Sequence, residues 1–425
     1  MIDAGCGRGK TSYCIQRMND YPDKSYIYIT PFLAEVERVK TATTEEFYEP
    51  SYKNGGRKLD DFNGLISDEL NVVSTHSTFL NSNDETVDYL NKGNYTLILD
   101  EVLEVVTLYN ETVPNKRQAM KKGDIELLLN KGLISVDDLG RVSWVDESYS
   151  DSQYGEIERL AKSGNLILVK NKLFLWEFPH KLFDTFSEII VCTYLFNGSI
   201  LKYFFDYHAI EYELVTVEKC GDRYQLTEYK ADTEERAKYK ELIDICCDKR
   251  LNDYKKAFSS TWYKRATSAM LIQLRNNLRN YLRNHKKAKP KDIMWTTFKK
   301  SVSALQGKGY TKIRNLYPEE KLLPERERKR TENQLSCFVP YSARASNDYR
   351  ERSILAYLCD VWANPDINKF FELKGIKIDK EAYAIAYLIQ WIFRSAIRDD
   401  KPISLYIPSP RMRGLLNDWL DGRVF

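Results

Sequence analysis

"AGCGRGKTS", Ala4–Ser12, sets three glycines ahead of a lysine and two hydroxyl residues. It spells Ala-x-x-Gly-x-Gly-Lys-Thr, with Ala4, Gly7, Gly9, Lys10 and Thr11 at the defining positions. Glycines there let backbone N–H groups turn inward around phosphates. A lysine in the place of Lys10 meets the β and γ oxygens, and the Thr11 hydroxyl ligates magnesium. A helix beginning near Lys10 would add its positive end. Ala4, Gly5, Gly7, Arg8, Gly9, Lys10, Thr11 and Ser12 are therefore the candidate nucleotide-binding loop. The plainer alternative is a glycine-rich turn.

Working outward, "SYIYITP" (Ser25–Pro31), "LNVVSTHSTFL" (Leu70–Leu80), "YTLILDEV" (Tyr95–Val102) and "EIIVCTYL" (Glu188–Leu195) read as short buried strands. Helical stretches separate them, which predicts an α/β fold with parallel sheets. Asp100 and Glu101 close the apolar run, so both emerge at the carboxyl end of a strand, where open α/β sheets place ligands. Asp100 suits the Mg²⁺ shell, and Glu101 suits orienting and deprotonating an attacking water. Residues 106–180 lack a strong α/β rhythm and read as an insertion packed on the first domain. From about 232 to 284 the chain reads as helical, Asp292–Phe298 as a strand, and 318–334 as a solvated loop. A second α/β unit follows, with a helix over Lys380–Arg398, a strand in "ISLYIP" and a helix over Pro410–Leu420.

Two basic features accompany these elements. Gln390, Arg394 and Arg398 recur every four residues, which puts them on one face of the predicted helix. Beside a nucleotide site this reads as an arginine finger for γ-phosphate charge; by itself it reads as a solvated face. "YKRATSAMLIQLRNNLRNYLRNHKKAKPK" (Tyr263–Lys291) has no acidic residue. Its Arg275, Arg279 and Arg283 alternate with Leu271, Leu274, Leu278 and Leu282, an amphipathic pattern with a cationic side outward. Phosphate neutralisation on a nucleic acid is the functional reading and a solvated face the other. Trp262, Trp295 and Trp391 lie among apolar residues and read as core.

Length and composition bound the rest. A chain of 425 residues exceeds one compact core and implies two or three domains. The net charge is only +3, so the cationic stretch is a local asymmetry. The eight cysteines show no CxxC pair, which fits reduced thiols rather than a zinc site. No apolar run reaches the roughly 18 residues of a membrane span, and no secretory pattern opens the chain. The expectation is a cytoplasmic, soluble protein.

Taken in order, the loop, "ITPFLAEVERV", "STHSTF", "LDEV", "CTYLF" and the Gln–Arg–Arg helix resemble superfamily 2 helicases of the DEAD/DEAH-like kind. The tail from "YSARASNDYRERSILAYL" to "LIQWIFRSAIRDDKPISLYIPSPRMRGLL" looks like helicase-related proteins of phages and mobile elements of Gram-positive bacteria. The resemblance implies two RecA-like P-loop lobes with a helical and inserted middle. Lobe one covers 1–210 and binds ATP and Mg²⁺, a basic connecting segment covers 211–290, and lobe two covers 291–425. It makes Lys10, Asp100, Glu101, Gln390, Arg394 and Arg398 the catalytic set, with Thr11 and Asp100 on the metal. Pro31, Thr75, His76 and Arg344 would touch nucleic acid beside Arg275, Arg279 and Arg283. Thr193 would couple nucleotide state to nucleic acid, and "IMWTTF" resembles a further motif.

This chain departs from the pattern at Leu103, at "CTYLF" and in the four-residue gap between its arginines. Met1, Ile2 and Asp3 offer no adenine-reading glutamine, so base recognition is expected to be weak or borrowed from elsewhere in the fold. The implied activity is an ATP-dependent helicase or translocase, acting on single-stranded or partly duplex DNA, or on RNA, in phage replication or recombination. The rival is a nucleic-acid-binding adaptor or loader that keeps the fold with little or no hydrolysis. An unrelated P-loop phosphotransferase is the third reading.

Overall fold

The computed structural model describes residues 1–52, 56–112, 120–121, 123–149, 152–230, 233–255, 257–343 and 348–423. In the first part, strands β1 (Ile2–Asp3), β2 (Ser25–Thr30), β3 (Val72–Thr75) and β4 (Tyr95–Asp100) precede an insertion. The insertion carries β5 (Val106–Leu108), β6 (Ile134–Val136), β7 (Val142–Trp144), β8 (Leu166–Val169) and β9 (Leu173–Glu177). After it come β10 (Glu188–Thr193), β11 (Val215–Cys220) and β12 (Arg223–Glu228). One seven-stranded sheet results, in the order β12-β11-β1-β10-β4-β2-β3, parallel except for the β11–β12 hairpin. All six residues of β4 are buried, as expected for a central strand covered on both faces.

Register decides what meets at the carboxyl edge. Thr30 pairs with Thr75, Ile29 with Leu99, Asp100 with Cys192 and Asp3 with Thr193. Thr30, Thr75, Asp100, Thr193 and Asp3 therefore end their strands along one line.

The insertion has a core of its own, with Tyr109, Leu128, Trp144, Ile157, Leu166 and Phe174 in one cluster. Its β5-β9-β8 sheet is antiparallel and β6–β7 is a hairpin.

The second part has a parallel sheet in the order β13-β16-β15-β14, formed by β13 (Ile243–Ile245), β14 (Ile293–Thr296), β15 (Ile354–Tyr357) and β16 (Ile403–Tyr406). The chain divides into two compact units. One is Met1–Ala4, Arg8–Tyr229 and Ala363–Ile378; the other is Gly5–Gly7, Lys230–Trp362 and Asp379–Phe425. The helix Pro365–Glu372 thus belongs to the first unit. Phe370 stacks on Tyr207 with ring centroids 4.5 Å apart, and Lys374 Nζ donates to the Tyr207 carbonyl at 2.9 Å.

Several elements differ from the sequence reading. The β11–β12 hairpin lies past the expected boundary at 210 yet extends the first sheet. Most of its residues are exposed, so no apolar run marked it. The segment 211–290 is not separate. Leu274, Leu278 and Leu282 enter the same core as Trp295 and Tyr406, and β13 interrupts the expected helical region. Residues 318–334 are mostly helical, as Pro318–Lys321 and Glu325–Leu335, without a buried side chain between them. Charge on every side of these helices erased the apolar period that would have signalled them.

Candidate nucleotide and nucleic-acid site

The helix Lys10–Asp20 starts at Gly9, whose φ of 93° is left-handed, and Gly7 has a φ of 84°. Both conformations favour glycine strongly, which explains the two glycines at this spacing. The first turn carries no acidic side chain, so no carboxylate of that turn competes for its N–H groups and positive dipole end. Lys10 Nζ donates to the Ala4 carbonyl at 2.6 Å, curling over its own loop. The Thr11 hydroxyl lies 3.5 and 3.4 Å from the two carboxylate oxygens of Asp100.

Asp100 is buried and its pKa is pushed up to about 7. Burial is the main cause, followed by the charges of Glu101 and Glu35; a hydrogen bond from Tyr28 and the charge of Lys10 oppose them. A carboxylate so placed is short of positive charge, and a cation would restore its ionised form. The donors here are a hydroxyl and a carboxylate, both hard oxygens suited to Mg²⁺. Among the described residues no group of three or more His, Cys, Asp or Glu could hold a metal. The pair fits an ion that keeps waters and binds substrate phosphates, rather than a cation caged by protein alone. Glu101 has a φ of 76°, unusual outside glycine, and its N–H donates to the Cys192 carbonyl at 2.9 Å. The strand end thus turns Glu101 away from the line that Asp100 follows.

Four residues at this edge were not singled out by sequence. Tyr28, fully buried, donates to Asp100 Oδ2 at 3.1 Å. Arg38 donates to the Ser12 hydroxyl at 3.3 Å and pairs with Glu35 at 3.2 Å. Asp3 is buried and accepts the N–H groups of Leu195 and Phe196 at 2.8 and 2.9 Å, holding the turn after Thr193. That turn needs holding, because Leu195 sits at a φ of 58°. The signal for Tyr28 and Asp3 was polarity inside apolar strands, which a reading by motif passes over.

The residues assigned to nucleic acid fare unevenly. Pro31 and Thr75 are half-buried at their strand ends. His76 is buried, with Nε2 3.2 Å from the Asp100 carbonyl oxygen. Its ring packs against the strand end, with little of it exposed. Thr193 is fully buried at the end of β10. Arg344 lies outside the described residues. Arg279 and Arg283 are exposed and Arg275 is half-buried, on two consecutive stretches, the helix Ser268–Asn280 and the π-turn Tyr281–His285. Leu274, Leu278 and Leu282 face the core, as the amphipathic pattern required. Trp295 and Trp391 are core and Trp262 packs against it.

The arginine stripe is not present. The helix begun at Lys380 ends at Ile392, and Ala396–Asp399 form a separate 3-10 turn. The helix tightens as it stops: the Arg394 and Ser395 N–H groups donate three residues back, to the Trp391 and Ile392 carbonyls, the Ser395 hydroxyl also donates to Ile392 at 2.7 Å, and the Ala396 N–H goes to the Arg352 carbonyl at 2.9 Å. Gln390, Arg394 and Arg398 therefore do not share one helical face. Arg394 is 6% exposed, whereas Arg398 and Gln390 are half-buried. Asp399 and Asp400, the acids expected near Arg398, pair with Arg350 and Lys238.

A glycine-bent loop at a helix start, an acid pair ending a central parallel strand and a second parallel α/β unit define a helicase-like α/β fold. A solved structure of XPD in its apo form shares it, with a TM-score of 0.53 at 14% identity over 99% of this chain and 94% of that one. Another, of the XPD helicase, gives a TM-score of 0.48 at 11% identity over 99% and 94% of the two chains.

Within that class the chain belongs to the YonV family. It is 35% identical over 439 aligned residues to the SPbeta prophage-derived uncharacterized protein YonV of Bacillus subtilis (strain 168), spanning 100% of this chain and 98% of that protein. Residues 237–420 match the YonV C-terminal Rossmann-like domain and residues 116–176 the YonV middle domain. The latter match falls on the insertion with its own core. Among the described residues no helix is long and apolar enough to cross a membrane.

Proposed function

We propose that the chain is an ATP-driven helicase or translocase of the superfamily 2 type, encoded by a phage or mobile element. It would act on DNA during replication or recombination in the bacterial cytoplasm, with RNA as a second substrate to be tested. The observation that carries this reading is the convergence of Thr11 on Asp100 at the mouth of a loop bent by left-handed glycines.

In this reading Lys10 leaves the Ala4 carbonyl to meet the β and γ oxygens, and the N–H groups of Gly7–Ser12 hold the phosphates. Thr11 and Asp100 hold Mg²⁺, which when bound neutralises charge between the phosphates. Glu101 orients the attacking water and takes its proton. Gln390, Arg394 and Arg398 remain the candidate residues for γ-phosphate charge. Arg275, Arg279 and Arg283 neutralise phosphates of the nucleic acid. Replication or recombination proteins are the partners this role implies.

Two observations favour the adaptor or loader reading, the burial of Arg394 and the break in the helix after Ile392. Steady-state hydrolysis of ATP with and without single-stranded DNA or RNA separates the two. The helicase reading expects turnover that rises with nucleic acid. Binding to nucleic acid with no hydrolysis under any condition would select the adaptor.

A further inference from the structure

The β11–β12 hairpin approaches the phosphate loop from the side of β1 that faces away from Asp100. In the sheet order, β4 stands two places to one side of β1 and β11 is the immediate neighbour on the other. Tyr224, in β12, lays its ring on Gly9. A Cβ at that glycine would overlap the Cδ1 and Cε1 atoms of the ring, so glycine serves a close approach as well as a turn. The hairpin is latched to the loop's own helix. The Gln16 side-chain amide donates to the Tyr224 carbonyl and accepts from the Tyr224 N–H, both at 2.9 Å. Arg223 next to it pairs with Asp20. Tyr224 packs partly against the cluster that includes Ile15 and Val217, and stays half-buried.

We propose that Tyr224 is the stacking platform for the base of the nucleotide whose phosphates the loop holds. The inference rests on reading Ala4–Ser12 as a phosphate site. Its direction follows from the sheet order. The terminal phosphate and its metal belong at Asp100 and Glu101, on the β4 side of β1. The nucleoside must then leave the loop on the opposite side, where the hairpin stands. An aromatic face stacks on any base, because every base has a π-face. Tyr224 therefore selects a nucleoside triphosphate over bare polyphosphate without choosing strongly between adenine and guanine. The Gln16 latch fixes the backbone of Tyr224, so the ring is in place before ligand arrives.

Calorimetric titration of the full chain with Mg²⁺ and a non-hydrolysable ATP analogue, the matching GTP analogue or inorganic tripolyphosphate tests this. Tyr224→Ala and Tyr224→Leu should each weaken both nucleotides about tenfold and leave tripolyphosphate within about twofold, while Tyr224→Phe matches the parent. The leucine keeps the apolar packing, so a poorly folded alanine variant does not decide the matter. Equal losses for nucleotide and tripolyphosphate would make Tyr224 a prop for the loop and overturn the proposal. A leucine variant with parent affinities would overturn it too. A parent that binds tripolyphosphate as tightly as the nucleotides also removes the stacking role and leaves the phosphate site standing. A parent that binds none of the three ligands overturns the phosphate-site reading, and this inference with it.

Discussion

At the carboxyl edge of the first sheet, neighbouring strands in register hold the candidate side chains; in the second unit, the place where one helix stops decides where Gln390, Arg394 and Arg398 sit. The first arrangement is redundant. Asp100 pairs with Cys192 of β10, Leu99 before it pairs with Ile29 of β2, and the Tyr28 hydroxyl donates to the Asp100 carboxylate. The second depends on a few bonds at one helix end, where the Arg394 and Ser395 N–H groups donate only three residues back. The Ser395 hydroxyl also donates to one of those carbonyls, and the next N–H leaves for Arg352. A spacing argument is thus robust across paired strands and fragile along a helix whose end it does not know.

This contrast can be broken by mutation. The largest effect is expected at Lys10. Lys10→Ala should lower hydrolysis by roughly 10²-fold or more, by analogy with the loss of one preorganised donor to developing charge. Its melting temperature should stay near the parent's, because the side chain contributes charge rather than core packing. Parent-level turnover in that variant would end the phosphate-loop reading.

The arginines should separate from each other. Arg398 is half-buried; if it serves as the proposed cation for phosphate charge, Arg398→Ala should cut single-turnover hydrolysis by at least about tenfold with an unchanged melting curve. Arg394 is enclosed, and Arg394→Ala should show first as lost stability, at about 2–4 °C of melting temperature per kcal/mol for a unit of this size unfolding by itself. The reverse pattern, activity lost at Arg394 and stability at Arg398, would restore the continuous helical face that the break after Ile392 denies.

A smaller effect is expected on the cationic stretch. Replacing Arg275, Arg279 and Arg283 together by Gln should reduce the slope of log affinity against log salt by about 0.9 for each phosphate no longer neutralised on duplex DNA, roughly 2–3 in all. An unaltered slope, measured between about 50 and 200 mM salt, would mark these arginines as a solvated face.

Most of the first sheet could be read from the chain, because β2, β4 and β10 are buried runs whose apolar character needs no partner to be recognised. Asp100 and Glu101 were legible for the same reason: an acid pair that ends such a run must lie at a strand end. Tyr28 and Asp3 were not, since a polar atom inside a strand gains meaning only from the residue opposite it in register. The hairpin β11–β12 was missed because exposed, charged strands carry no apolar period. The helix end at Ile392 was missed for a physical reason too. No glycine or proline stands there, and the stop comes from N–H groups that donate three residues back, a side-chain hydroxyl and a long-range backbone partner.

In the proposed function, the loop and the end of β4 form one hydrolytic site. Its most direct test is Mg²⁺-dependent ATP binding and single-turnover hydrolysis by Glu101→Gln beside the parent, both with saturating single-stranded DNA. The amide still orients water but cannot take its proton, so the variant should bind ATP as the parent does and turn it over about 10²–10⁴-fold more slowly. Hydrolysis at the parent rate in Glu101→Gln would contradict the account.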